Sequence, residues 1–314
     1  MSELYHSLIN ESSFSSSLSL STNQYIVFIG PNYNCNKENE HLFESNKITT
    51  TKYKWYNFFP KILMEQFSSM ANVYFLIISI LQSVKEISYS NGSPIMLIPF
   101  SLIILINGVK DVYEDWKRKK MNDLDNQRLC QIYDNNNHKF IYKKWEDIKL
   151  GDIIKINKNE VIPCDMILLE SKGICYVEPK NINGESNLYM KNINSDWKNK
   201  IDYSINNYVC LTKKPNENIY KFKGTLYEIE YKKDKGGNPI INLKDKIFYF
   251  NEKNFVLRGM ILRQTNYIIG SAIYLGHNTK CMINSPKMKN KKSKLEKKMN
   301  NLIFFILVFK YFYH

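Results

Sequence analysis

Residues 94–109 read PIMLIPFSLIILINGV, a run without a single charge. A stretch this apolar cannot face water along its length, so lipid or other protein has to cover it. A second apolar segment runs from Phe58 to Val84, with Pro60, Lys61, Glu65 and Gln66 near its start and a cleaner part at Met70–Leu81. That cleaner part is shorter than the roughly 20 residues a membrane span needs. Its amphipathic first turns are expected to lie at the interface and extend the helix. The polar loop Lys85–Ser93, with Asn91-Gly92 as a turn signal, joins the two segments. The pattern reads as a helical hairpin in a membrane, or else as a buried helix pair in a soluble core. Lys52, Lys54 and Lys61 precede the first segment, Lys117, Arg118, Lys119 and Lys120 follow the second, and the loop holds Lys85 offset by Glu86. By the positive-inside rule both ends are cytosolic and the loop is outside.

The mean hydropathy of −0.39 over 314 residues sets this hairpin in a mostly polar chain. Lys plus Arg number 44 against 30 Asp plus Glu, a net charge of +14. Such a balance suits an anionic membrane face or nucleic acid; the membrane flanks account for it, and no nucleic-acid partner is expected. Cys35, Cys130, Cys164, Cys175, Cys210 and Cys281 form no C-x-x-C pair and have no His beside a pair. That spacing argues against a zinc site and a disulfide framework, and no metal ligand set is expected. The Met-Ser-Glu start has neither a basic stretch nor an apolar run, so no cleaved signal peptide is expected.

Residues 1–45 are read as a polar Ser/Asn-rich tail, with a short β-like run at Tyr25–Ile29. Residues 121–285 carry short alternating runs with turn punctuation: Asp152–Ile156, Met166–Leu169, Ile174–Val177, Phe255–Leu257 and Tyr267–Tyr274. They read as a mainly β cytosolic domain, with Lys213–Gly237 as a strand pair and a charged loop. Lys287–Lys298 holds seven Lys and one Glu, a solvated linker or a contact for anionic lipid. LIFFILVF at 302–309 then opens a third apolar segment, cut off at His314.

Several strings stand in order along the chain: Asn46-Lys-Ile-Thr-Thr-Thr-Lys-Tyr53, Phe59-Pro60-Lys61, Glu65-Gln66-Phe67 and Ala71-Asn72-Val-Tyr-Phe75. Lys110-Asp111, Glu114-Asp115, Trp145–Asp152 and Glu160-Val-Ile-Pro163 with Asp165 follow. Then come Pro215-Asn216, Tyr220, Phe222, Gly224-Thr225-Leu226, Leu257-Arg258-Gly259, Leu262-Arg263 and Gly276-His-Asn-Thr-Lys280. Their order and spacing over residues 25–310 resemble the type-four P-type ATPases, the phospholipid flippases. The resemblance implies a membrane α-helical hairpin plus a mainly β cytosolic actuator domain, with the start of a third membrane helix at the C-terminus. The expected division is a tail at 1–45, the hairpin at 46–116, the actuator at 117–286, and a basic linker with a truncated helix at 287–314.

The resemblance also points to a loop. That family's actuator carries [DT]-G-E-[ST], and Asn183-Gly184-Glu185-Ser186 stands at the matching place. A phosphorylated aspartate on another domain has to be hydrolysed at a chosen moment. A carboxylate on a movable arm can position and deprotonate the attacking water, which makes Glu185 the candidate catalytic residue. Gly184 permits a tight turn, and Asn183 and Ser186 can hold it through side-chain to backbone bonds. The loop opens with Asn where flippases have Asp. Read without the resemblance, the same four residues are an ordinary surface turn. Gln82 and Ser83 stand where flippases place a Gln-Gln pair on the lipid headgroup path, and Lys85 stands where a Pro is usual. The alternative is that both simply sit at the membrane interface.

The family's phosphate acceptor lies in D-K-T-G-T, and neither Asp234-Lys235-Gly236 nor Asp245-Lys246-Ile247 matches it. The chain is therefore expected to be the N-terminal portion of an ATP-driven phospholipid pump, a multi-pass membrane protein with its N-terminus and actuator in the cytosol. Mg²⁺ and ATP would serve the intact pump at sites outside this chain, phospholipid would be the substrate, and a small glycosylated membrane subunit is the implied partner. The rival reading is a non-catalytic membrane-anchored binding module or a pseudo-pump segment. If the hairpin crosses a bilayer, protease added from the cytosolic side cuts near Lys117–Lys120 and spares Asn91-Gly92; cutting at both sites from one side rules the topology out.

Overall fold

A computed structural model describes residues 24–30, 45–54, 56–86, 91–193, 207–233, 239–285 and 293–312. The Ser-rich start of the tail, Cys35, residues 234–238 of the expected charged loop and the first part of the basic run, 287–292, lie outside the described residues. The elements run β1 (Gln24–Ile29), α1 (Phe58–Gln66), α2 (Met70–Ser83), α3 (Leu97–Asn126), β2 (Leu129–Asp134), β3 (Lys139–Lys144), β4 (Ile153–Asn157), β5 (Asp165–Ser171), β6 (Cys175–Glu178), α4 (Lys180–Asn183), β7 (Tyr189–Lys191), β8 (Asn207–Lys213), β9 (Lys223–Lys233), β10 (Pro239–Asn251), β11 (Phe255–Val256), β12 (Ile261–Arg263), β13 (Tyr267–Tyr274), α5 (Lys280–Asn284) and α6 (Lys294–Phe312). They divide into a β unit, residues 1–48 with 124–286, and a helical unit, residues 49–123 with 287–314.

The β unit holds three antiparallel sheets, ordered β1-β8-β9-β10, β11-β5-β13-β4-β2-β3 and β12-β6-β7. In β4, IIKIN, Ile154 and Ile156 share one buried face, and on the other face Ile153 is buried and Lys155 partly so. In β5 the run Asp165–Leu169 is buried on both faces, the pattern of a strand covered above and below its sheet. The mainly β character expected of residues 121–285 is therefore present. The β2–β3 hairpin joins it without having stood out in the sequence. The strand pair expected within Lys213–Gly237 is shifted: β8 ends at Lys213, and the hairpin is β9 with β10, which runs on to Asn251.

β1 forms the edge of the four-stranded sheet, pairing Gln24 with Lys213 through to Ile29 with Tyr208. Its backbone comes close to Gly151, where a Cβ would stand 1.9 Å from the Phe28 carbonyl oxygen at a φ of +81°. Only glycine satisfies both the close approach and the left-handed backbone there.

In the helical unit, α1 and α2 are separate helices bent by 95°. Ser69 is extended and restarts the helix, and the buried Asn72 Nδ2 donates 2.7 Å to the Gln66 carbonyl near the break. The Gln66 side chain accepts from Asn107 Nδ2 at 3.2 Å, so the buried amides satisfy one another. Asn300 Oδ1 on α6 accepts the Met70 N–H at 3.3 Å, one of the donors that a helix start leaves without an intrahelical partner. On the approach to α1, Asp115 takes the N–H groups of Lys52 at 2.7 Å and Tyr53 at 3.3 Å, and Glu65 accepts the Tyr53 hydroxyl at 2.8 Å. The second apolar segment, Pro94–Val109, begins its helix at Leu97, and the helix continues as far as Asn126. Its charge-free part, Leu97–Val109, is roughly 20 Å long at 1.5 Å per residue, short of the ~30 Å hydrocarbon layer. Accordingly no single helix among the described residues is long and apolar enough to cross a membrane, whereas α1 and α2 together pass that test. The basic run expected as a linker turns helical at Lys294, where α6 starts.

Gly151→Ala forces a clash with the Phe28 carbonyl in addition to backbone strain. It should destabilise the β unit by about 3 kcal/mol. Gly173→Ala, at a φ of +101° with open space around it, should cost about 1 kcal/mol. Urea unfolding of the two variants measures the difference.

Candidate functional site

The Asn183–Ser186 turn follows the single-turn helix α4. Gly184 closes that helix in the left-handed region, φ +77°, with its N–H donating 3.0 Å to the Lys180 carbonyl. Nothing lies within 4 Å of where a Cβ would be, so glycine is there for conformation and the loop surface stays open to an approaching group. The Asn183 Oδ1 accepts the Glu185 N–H at 3.0 Å, which closes an Asx turn and needs no carboxylate. Glu185 and Ser186 are exposed at the tip. The Tyr189 hydroxyl donates to Glu185 Oε2 at 2.8 Å.

The turn is fastened from below. Asn181 Nδ2 donates 3.0 Å to the Gly259 carbonyl, linking α4 to the Leu257-Arg258-Gly259 string. Lys191, two residues past Tyr189, donates from Nζ to the Glu252 carbonyl at 2.8 Å, and burial pushes its pKa down. Beside the turn opens a cavity of about 330 Å³, lined by Ile182, Tyr189, Lys191, Tyr220, Leu257 and Met260 among others. Tyr220 and Ile219 belong to a segment held by Lys280. That side chain, 1% exposed, donates to Asn216 Oδ1 at 2.8 Å and to the carbonyls of Asn218 at 2.7 Å and Lys221 at 3.0 Å. Burial pushes the Lys280 pKa down while the charge of Asp165 opposes that. The strings around Pro215-Asn216, Leu257-Arg258-Gly259 and Gly276–Lys280 thus meet around one buried ammonium and one exposed turn.

Gln82 and Ser83 belong to the helical unit. Gln82 Oε1 accepts the Met96 N–H at 3.1 Å, just ahead of α3, and the Ser83 hydroxyl donates to the Ser79 carbonyl at 3.0 Å within α2. Among the described residues no group of three or more His, Cys, Asp or Glu side chains is gathered as a metal site. The five described cysteines are free thiols, and burial pushes those of Cys130, Cys175, Cys210 and Cys281 up to about 12. Sequence reasoning overlooked Tyr189, Asn181 and Lys191. A tyrosine four positions after the glutamate was the available signal, and it acquires meaning only once β7 turns that ring back toward the turn.

Two family models match: phospholipid-translocating ATPase N-terminal, at residues 31–96, and P-type ATPase actuator domain, at residues 126–295, more than half of the chain. The chain is 33% identical over 272 residues to phospholipid-transporting ATPase 1 of Arabidopsis thaliana, covering 85% of this chain and 22% of that protein. It is 33% identical over 288 residues to phospholipid-transporting ATPase IC of Mus musculus, covering 90% and 21%. It is 32% identical over 264 residues to phospholipid-transporting ATPase VD of Homo sapiens, covering 82% and 18%. The chain thus spans about a fifth of the length of these curated relatives.

Lys280→Met keeps the buried stem and removes the ammonium, leaving three acceptors on residues 216–221 without their donor. The expected loss is about 2–3 kcal/mol in denaturant unfolding. Amide exchange should quicken through 214–222 well before the β5–β13 pair opens.

Proposed function

The chain belongs to the type-four P-type ATPases, the phospholipid-translocating branch, and on that premise we propose that it is the dephosphorylation arm and first membrane segment of an ATP-driven phospholipid pump. The observation that carries the reading is the Asn183–Ser186 turn. It presents a glutamate at an exposed tip, with its backbone and one carboxylate oxygen both held.

The chemistry asked of Glu185 is a proton transfer. Water attacks the phosphorus of an aspartyl phosphate on another part of the pump, and its proton passes to the Glu185 carboxylate. The bond between phosphorus and the aspartate oxygen breaks, releasing the aspartate carboxylate and inorganic phosphate. Gly184 leaves room for the phosphate to come close, and Asn183 keeps the turn without adding a second negative charge near it. ATP would supply the phosphoryl group and Mg²⁺ would neutralise its charge, both assigned, on the strength of the family resemblance, to portions of the pump outside this chain.

Membrane insertion of the helical unit is part of the same proposal. Apolar side chains on α2 and α3 lie open, with Ile98 71% and Leu105 65% exposed, which suits hydrocarbon and not water. The α1–α2 pair would supply one crossing and α3 the return, its charge-free half extended by the turn that follows, where Lys110 can reach back to the interface, with Lys117–Lys120 on the cytosolic side and the β unit in the cytosol. Gln82 and Ser83, at the end of α2, would then lie on the path of the lipid headgroup. A small glycosylated membrane subunit is a proposed partner on the strength of family resemblance.

Glu185→Gln keeps size and hydrogen bonding and removes the base. In the full-length pump the phosphoenzyme should accumulate, and its breakdown and the lipid-stimulated ATP turnover should fall by about 10²- to 10⁴-fold. Asn183→Asp retains the Oδ1 acceptor and should stay within about twofold of wild type. A Glu185→Gln breakdown rate within twofold of wild type makes the loop a surface turn, and the chain is then better read as a membrane-anchored binding module.

A further inference from the structure

We propose that Tyr189 is a positioning residue for Glu185, its phenol gripping one carboxylate oxygen so that the other is left for water. This rests on the reading of Glu185 as the water-directing base. A glutamate at the tip of a turn is otherwise free to rotate about its side-chain bonds, and a base that samples many rotamers is seldom aligned with its water. Here both ends of the residue are tethered, the N–H to Asn183 Oδ1 at 3.0 Å and Oε2 to the Tyr189 hydroxyl at 2.8 Å.

The two tethers differ in what stands behind them. Asn183 belongs to the same turn and moves with it. Tyr189 is the first residue of β7, opposite Val177 in β6, and Val177 in turn pairs with Leu262 in β12. Val177 and Leu262 are completely buried. The far end of β7 is clamped by the bond from Lys191 Nζ to the Glu252 carbonyl at 2.8 Å. The tyrosine ring lies in the wall of the 330 Å³ cavity, with Ile182 and Tyr220. A strand paired to the buried β6 therefore presents the phenol, and the phenol fixes where the carboxylate points. The hydrogen bond to Glu185, and after it that residue's charge, push the Tyr189 pKa up from its ordinary value, so the phenol keeps its proton and remains a donor. A phenol also holds the carboxylate without setting a full positive charge beside a group that has to accept a proton.

Two measurements test this. In the 314-residue chain labelled with ¹³Cζ-tyrosine, the resonance missing from Tyr189→Phe identifies Tyr189. It should titrate above an ordinary tyrosine in wild type and return to about 10 in Glu185→Ala. An identical midpoint in wild type and Glu185→Ala overturns the proposal. In the full-length pump, Tyr189→Phe keeps the ring in the cavity and loses only the donor. Phosphoenzyme breakdown should slow about tenfold while its formation stays within twofold. Breakdown within twofold of wild type in Tyr189→Phe, alongside arrest in Glu185→Gln, overturns the role of Tyr189 and leaves Glu185 in place. Normal breakdown in Glu185→Gln overturns the base itself, and the proposal with it.

Discussion

One buried carboxylate organises the β unit. Asp165, at the first position of β5, accepts the Arg258 N–H at 2.8 Å and the Lys280 N–H at 2.7 Å, partners 93 and 115 residues away in the chain. Burial pushes its pKa up to about 6, and the two N–H groups and the nearby Lys280 and Arg258 charges oppose that rise. A buried carboxylate short of donors would be expensive to retain; with both oxygens engaged it becomes a clamp on two distant segments. From there the network spreads. Arg258 Nη1 donates to Asn46 Oδ1 at 2.8 Å, and Asn46 Nδ2 donates to the carbonyls of Trp145 at 2.9 Å and Pro163 at 3.2 Å. Lys280 turns its side chain toward residues 216–221, so the same carboxylate that receives its N–H indirectly sets the wall of the cavity.

The candidate site is built on the contrast between this frame and the turn that rises from it. Beneath Glu185 the chain is tied by strand pairing and by hydrogen bonds to distant segments. The turn itself is short, exposed and closed by a glycine that no neighbour crowds. On the proposed reading exposure is a requirement and not a defect, because the group to be hydrolysed comes from another domain, and a base at such a tip takes its aim from a side chain on a paired strand. In the helical unit Gln66 gathers two amides, its carbonyl accepting from Asn72 and its side chain from Asn107.

Much of the fold was legible because hydrophobic alternation is a local property. The runs at Met166–Leu169 and Tyr267–Tyr274 became β5 and β13, and the N-terminal run became β1 within a residue. The long β10 was not legible: its charged stretch, LKDK, interrupts the alternation and coincides with register shifts in the pairing with β9. The 95° bend between α1 and α2 was also hidden, since Phe67-Ser68-Ser69 carries neither Pro nor Gly. α3 runs on past Val109 because the charges that close the apolar run do not end a helix. They change which surroundings its surface can accept.

The sequence by itself determined the local chemistry: a charge-free run that requires cover, a β domain read from alternation, and a four-residue turn whose Asn, Gly and Glu already dictate an Asx turn with a displayed carboxylate. Only the tertiary structure decided what that carboxylate meets. Tyr189 is one of 22 tyrosines, and its place four positions after Glu185 does not by itself say that the two meet. Its role arises from the register that sets it opposite Val177, just as Lys280, one of many lysines, gains its place from three acceptors about 60 residues away. Hydrogen bonds between distant residues depend on distance and direction in space, and a one-dimensional pattern carries neither.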